Sequence, residues 1–315
     1  MNQPYTDLIN QNVDVITNVD IGFKSPQLKN YKWRIIKDLV FKVFCYGCAF
    51  LTVGVLAALL FDVFTTGVKW LDWQFLTSFS SRFPHKSGIY AGIVGSLWLI
   101  SMTVAIAVPL GVGAALYLEE LSKVTWWKKI IDINIANLAG VPSIVYGILG
   151  LALYVRFLGL GRSIFAGSLT LATLILPVII IVTREALKAV PQSVRHAAYA
   201  VGATKWQTLC SFVLPSAFPG ILTGIILSVS RAIGETAPII LVGGLVYVAF
   251  TPEGPMDEYT VLPLMIYNWA ERHGQDFFQL AAAGIIVLLF ILLITNALAI
   301  YLRHKLQKGN ICQQL

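Results

Sequence analysis

Six long apolar runs alternate with polar segments along the chain. They are Leu39–Phe61, Ala91–Leu118, Ala136–Val155, Ile164–Thr183, Ala217–Phe250 and Gln279–Leu302. Each run is longer than an ordinary strand, and none alternates polar with apolar residues as a membrane β-barrel does. A helix crosses a bilayer with roughly 20 residues and satisfies its own backbone hydrogen bonds. The pattern therefore predicts an all-α integral membrane protein with six transmembrane helices.

The composition agrees with a chain whose main solvent is lipid. Of its 315 residues, 57% are apolar and 12% are charged, and the mean hydropathy is +0.75. A soluble domain carries about 25% charged residues, so an ordinary soluble enzyme, a disordered chain and a disulfide scaffold are excluded. The net charge of +7 comes from residues that flank the apolar runs, which favours membrane topology over a nucleic-acid partner.

The basic residues predict the orientation of the spans. If the N-terminus lies inside, fifteen Lys and Arg residues fall in inner segments and six in outer loops. This asymmetry indicates that both termini are cytoplasmic. We divide the chain into a cytoplasmic N-terminal tail (1–38), the first span with its outer loop (39–90), a five-helix core (91–302) and a cytoplasmic C-terminal tail (303–315).

The cytoplasmic segment Arg184–Pro215 is more than a connector. Its sequence predicts two short helices that are separated at Gly202, and small residues such as Ala197 and Ala198 would let another backbone approach closely. The residues alone leave two interpretations open: an interfacial helix that rests on the bilayer, or a docking element for a cytoplasmic partner.

Two charged residues lie deep within the fifth apolar run. Arg231 and Glu235 are four residues apart, so they share one helix face and can pair. If the helix is continuous, they lie near the middle of the bilayer, where an arginine is costly and usually faces a protein interior or an aqueous path. Pro238 should kink this helix and free the carbonyl of Gly234. A structural ion pair and a station on an anion path both fit these residues.

The cytoplasmic segment resembles a loop of a known family. His196-Ala197-Ala198, Gly202 and Phe212-x-Leu214-Pro215 have the spacing of the EAA loop of ABC importer permeases, with His196 in place of Glu and Phe212 in place of Ile. In that family the loop inserts into a groove on the ATPase subunit. The resemblance implies that seven residues couple the chain to an ATPase: His196, Ala197, Ala198, Gly202, Lys205, Leu214 and Pro215.

Three further segments resemble the PstA-type permeases of phosphate importers. They are SRAIGETAP at 230–238, GVPSIVYG at 140–147 and LPLMIY at 262–267. The resemblance covers roughly residues 90–302 and implies the type I ABC importer permease (MetI-like) architecture in a prokaryotic inner membrane. It implies a substrate pathway at Arg231, Gly234, Glu235, Thr236 and Pro238. The implied partners are a PstC-type permease, two copies of a PstB-type ATPase and a PstS-type phosphate-binding protein.

Other functions have less support in the sequence. Sulfate or molybdate is the alternative substrate for such a permease. A secondary transporter coupled to ions would need carboxylates in both halves, and only Glu235 is placed for that role. The sequence shows no P-loop and no nucleophile–base pair, so we expect a chain that is not an enzyme and has no cofactor and no metal site. Glu119 and Glu120, which end the second apolar run, are interpreted as a solvated helix end rather than a partner contact.

Overall fold

The computed structural model describes residues 31–122, 125–244 and 247–311, and every regular element among them is helical. The predicted tail of residues 1–30 lies outside the described residues. The chain divides into two compact units, Met1–Leu60 and Phe61–Leu315. The first helix, α1 (Tyr31–Gly67), starts in the first unit and ends in the second. It begins eight residues before the apolar run that predicted it.

The second unit contains eleven further α-helices within the described part of the chain. They are α2 (Trp73–Thr77), α3 (Tyr90–Leu116), α4 (Trp126–Ala139), α5 (Ser143–Gly150), α6 (Ile164–Lys188), α7 (Gln192–Ala200), α8 (Lys205–Thr208), α9 (Leu214–Ile233), α10 (Ala237–Val242), α11 (Leu262–Glu271) and α12 (Gln275–Ile311). Turns of π-helix extend α3 through Leu121 and α5 through Phe157, and join α8 to α9. Within the described residues, five helices are long and apolar enough to cross a membrane, and the bent pair α4–α5 makes six if it is counted as one span.

The third predicted span is not one straight helix. The axes of α4 and the extended α5 differ by 102°, and the break lies between Ala139 and Ser143. Pro142 has no N–H to continue the helical ladder, and its backbone is extended, with ψ 138°. The apolar run from Ala136 to Val155 concealed this break because hydropathy does not record backbone direction. The Tyr146 hydroxyl donates to the Leu138 carbonyl at 2.9 Å and so bridges the bend.

Helix α6 is the centre of the core, with 67% of its most apolar stretch buried. Its long neighbour α3 contributes small buried residues at helical spacing: Gly92, Ser96, Thr103, Ala107, Gly111 and Ala115. Lipid tails are as apolar as leucine, so close packing of small residues, rather than exclusion of water, holds such helices together. A Cβ at Gly111 would lie 2.6 Å from a methyl carbon of Ile179 on α6, so the two backbones approach closely because this residue is glycine.

Candidate substrate path and coupling loop

The fifth span ends next to Arg231. Helix α9 stops at Ile233, Gly234 is its C-cap, and α10 begins at Ala237 with Pro238 in its first turn. The prediction of one continuous helix kinked by Pro238 is therefore wrong. A proline in the first turn lacks an N–H that would have had no helical partner, and its fixed φ suits a helix start. Arg231 consequently lies in the last turn of a helix and not in the interior of one.

The predicted contact between Arg231 and Glu235 is present despite the break. Arg231 Nε lies 3.3 Å from Glu235 Oε1, and the two side chains are 55% and 15% exposed, respectively. Among residues 31–122, 125–244 and 247–311, the Nη1 and Nη2 amino groups of Arg231 make no hydrogen bond. The carboxylate therefore holds one edge of the guanidinium, and the other edge is accessible.

The segments that resemble phosphate permeases pack together around α10. A Cβ at Gly147 on α5 would lie 2.7 Å from Pro238 Cα, so only glycine permits this approach. Tyr146 packs in the same buried cluster as Ala232, the neighbour of Arg231. Leu264 on α11 packs with Ile239 on α10. Two segments that are distant in sequence, on α5 and α11, thus pack beside the break at residues 234–236.

The third of these segments also carries an exposed polar contact. The Tyr267 hydroxyl donates to Glu271 Oε1, one turn further along α11. This carboxylate raises the pKa of Tyr267 because ionisation would lose the hydrogen bond and place two negative charges together. Tyr267 is therefore a neutral hydrogen-bond donor at the exposed surface of α11.

The segment Arg184–Pro215 contains the two predicted helices, α7 and α8. Gly202 follows α7 with φ +85°, the left-handed conformation that favours glycine. Its N–H donates to Tyr199 O at 3.0 Å, and the next N–H, from Ala203, donates to Ala198 O at 3.1 Å. These two bonds form a Schellman motif. Thr204 then caps α8, and Gln207 completes a capping box, so the chain between the two helices is held in one conformation. Because α6 continues to Lys188, the first five residues of the predicted loop belong to that helix.

The residues predicted to couple to an ATPase divide into two groups. His196, Ala197, Gly202 and Lys205 are exposed. Ala198 is buried, whereas Leu214 and Pro215 are half-buried. Leu214 packs on a buried cluster that includes residues of α6, of the π-helical turn between α8 and α9, and of α9. The structure therefore places the first group where a partner can reach it and the second within the packing of the segment.

Comparison with known proteins identifies the family. Residues 107–308 match the family described as binding-protein-dependent transport system inner membrane component. The chain belongs to this family. The probable ABC transporter permease protein YqgI of Bacillus subtilis is 33% identical over 76% of this chain and 81% of its own. The phosphate transport system permease protein PstA of Pasteurella multocida is 30% identical over 88% of this chain and 98% of its own.

Solved structures confirm the fold. A chain of a bacterial alginate ABC transporter, crystallised with a pentasaccharide-bound periplasmic protein, superposes with a TM-score of 0.65 at 14% identity over 89% of this chain and 99% of its own. A chain of the MetNI methionine ABC transporter gives a TM-score of 0.55 at 15% identity over 69% and 97%. The predicted type I importer permease architecture and the resemblance to PstA-type permeases are both confirmed.

The contacts of the adjacent glutamates, Glu119 and Glu120, were not predicted from the sequence. Glu119 and Glu120 lie in the π-helical turn that extends α3, and each forms an ion pair with an arginine. Arg184 Nε lies 3.1 Å from Glu119 Oε2, and Arg195 Nη2 lies 2.6 Å from Glu120 Oε1. Arg184 also donates to both oxygens of Asp132 on α4, at 2.7 and 3.2 Å. The interpretation as a solvated helix end is therefore wrong. One sign of these contacts was present in the sequence: Arg184 and Arg195, whose charge is opposite to that of the glutamates, follow the fourth apolar run.

Proposed function

We propose that this chain is the PstA-type permease subunit of an ATP-driven importer of inorganic phosphate. The relatives named PstA support phosphate: one from Mycobacterium tuberculosis is 39% identical over 58% of this chain. The match to the Pasteurella multocida protein covers nearly all of that protein. A guanidinium can bind sulfate and molybdate as well as phosphate, so the substrate assignment depends on these relatives and not on Arg231 alone.

The accessible edge of Arg231 is the observation that carries the proposed transport role. A guanidinium presents parallel N–H donors that match two oxygens of a phosphate. Glu235 occupies Nε and leaves the Nη1–Nη2 edge free. It also offsets the positive charge, so that phosphate binds weakly enough to leave, as conduction requires. Gly234, Thr236 and Pro238 lie in or next to the helix break beside this edge.

The proposed partners follow from the type I importer architecture. A PstC-type permease forms a heterodimer with this chain and completes the path, and two PstB-type ATPase subunits lie in the cytoplasm. A PstS-type binding protein delivers phosphate on the outer side. In this arrangement the chain spans the inner membrane with both termini in the cytoplasm. His196, Ala197, Gly202 and Lys205 contact the ATPase, while Ala198, Leu214 and Pro215 keep α7 and α8 in place. Closure of the ATPase dimer moves these helices, and the spans open outward.

Uptake of labelled phosphate into liposomes that contain the purified complex tests this proposal. We expect uptake when the binding protein carries phosphate and ATP is present on the ATPase side, and none when ATP is omitted. Excess sulfate or molybdate should not compete. Uptake that persists without ATP but follows a proton or sodium gradient would show a secondary transporter instead. Competition by sulfate at equal concentration would show that the site is not selective for phosphate.

A further inference from the structure

The segment proposed to dock the ATPase contains a buried arginine. Arg195 lies next to the exposed His196, yet its side chain is only 10% exposed. Its guanidinium donates to Val190 O at 2.7 Å and Leu187 O at 3.0 Å, which are carbonyls at the end of α6, and to Glu120 at 2.6 Å. With three acceptors from two other segments, this side chain is not available to a partner protein. It fixes α7 against the membrane-spanning helices.

The other end of this contact lies in the core of the permease. Glu120 is on the π-helical turn of α3, and α3 is the helix whose small residues pack on α6. The neighbouring Glu119 joins the same turn to Arg184 of α6, and Arg184 joins α4 through Asp132. We name these five residues, Glu119, Glu120, Asp132, Arg184 and Arg195, the charge cluster. It connects α7 with α3, α4 and α6.

The energetics of buried ions make this connection stiff. Removing one partner of a buried pair leaves an unpaired charge, which costs far more than breaking an exposed pair. A displacement of α7 therefore cannot leave Glu120 behind without that cost, and the α3 turn must follow α7. A displacement of α7 therefore displaces α3 through the Arg195–Glu120 contact, and is not absorbed by a change in loop conformation alone.

We infer that Arg195 and Glu120 are positioning residues that transmit movement of α7 to α3, and so couple ATP hydrolysis to transport. The inference deepens the proposed function and rests on it, because it takes the exposed face of α7 as the ATPase contact. Neither residue touches the substrate, and neither is exposed enough to bind the ATPase itself.

The test removes both charges together. In the double variant Arg195→Met, Glu120→Met no buried charge is left unpaired, so the complex should assemble as the wild type does. We expect the ATPase still to bind and hydrolyse ATP, but phosphate transported per ATP hydrolysed should fall about tenfold, within the usual range for coupling between distant sites. A purely structural pair would recover both assembly and this ratio, and a wild-type ratio in the double variant would overturn the inference.

Two further variants keep the test decisive. Arg195→Lys keeps a positive charge opposite Glu120, so no charge is left unpaired and this variant should assemble even if the double variant does not. It loses the fixed guanidinium donors, so an intermediate ratio is expected; a wild-type ratio here alongside a non-assembling double variant also overturns the inference. The double variant Glu185→Gln, Lys188→Gln is the control: it neutralises an exposed ion pair of α6 (2.9 Å) and should leave the ratio of phosphate transported per ATP unchanged.

If the wild-type complex shows no ATP-dependent phosphate uptake, the proposed function fails separately, and the same ratio is measured with sulfate or molybdate.

Discussion

Two arginine–glutamate contacts of this permease have the same chemistry and opposite surroundings. Arg231 is 55% exposed and gives one N–H to Glu235 at 3.3 Å. Arg195 is 10% exposed and gives its N–H groups to Glu120 and two backbone carbonyls, at 2.6 to 3.0 Å. The first guanidinium retains donors for a ligand, whereas the second uses its donors inside the protein.

The difference shows how an ion pair should be interpreted in a membrane protein. A charge within an apolar run suggests a functional site by default, but the pair alone does not say which function. The number of donors still available, together with exposure, distinguishes a ligand site from a connection between helices. Substitutions that act on one contact and not on the other test this distinction.

The largest effect is expected at Arg231. Arg231→Gln keeps hydrogen-bonding capacity and removes the positive charge, so phosphate uptake should be lost while the complex still assembles. The double variant Arg231→Gln, Glu235→Gln separates the two hypotheses for this pair. An anion site stays inactive when both charges are removed, whereas a structural pair recovers transport because no charge remains unpaired. Uptake and yield of the purified complex are the measurements, and near wild-type uptake in the double variant would contradict the substrate-path assignment.

The same residues show what the sequence could and could not predict. The apolar runs and the turn at Gly202 have local causes, namely span length and a helix C-cap, and both were predicted. The break at Pro142 lies inside an apolar run, where hydropathy gives no sign of it. At Gly234 the sequence predicted a kink caused by Pro238, whereas the structure has a complete break between two helices. The partners of Glu119 and Glu120 are 65 and 75 residues away in sequence, so only the packing of α3 against α6 brings them together.

A second difference is expected in stability. Arg195→Ala leaves Glu120, whose side chain is 14% exposed, without its partner, which should lower the free energy of unfolding by about 3 kcal/mol. Arg231→Ala breaks an exposed contact and should cost less than about 1 kcal/mol. Thermal unfolding of the two purified variants in the same detergent measures this. Equal losses would show that the exposure of Arg231 in the single chain does not describe its surroundings in the complex.

A smaller effect is expected where α5 supports the break beside Arg231. A Cβ at Gly147 would lie 2.7 Å from the Pro238 backbone, so Gly147→Ala should push α10 away at a cost of about 1–3 kcal/mol and reduce phosphate uptake. Gly113→Ala is the matched control, because it also adds a methyl to a helical glycine and has no atom within 4 Å. Transport per ATP should fall for the first variant and stay unchanged for the second; unchanged uptake in both would show that the α5–α10 contact does not position Arg231.

The smallest effect concerns backbone conformation in the docking segment. Gly202 has φ +85°, and a Cβ added there would meet no atom within 4 Å in the single chain, so Gly202→Ala should cost only about 1–2 kcal/mol of local strain. Gly202→Asn should cost less, because asparagine adopts this conformation more readily. Gly202→Trp adds bulk at the proposed ATPase contact of α7 and should also uncouple hydrolysis from transport. Gly159 supplies the control: it has φ +67° and equally open surroundings, but lies in the loop between α5 and α6. Gly159→Trp should carry the same strain without uncoupling. If both tryptophan variants reduce phosphate transported per ATP equally, strain explains the loss and Gly202 is not at a docking surface.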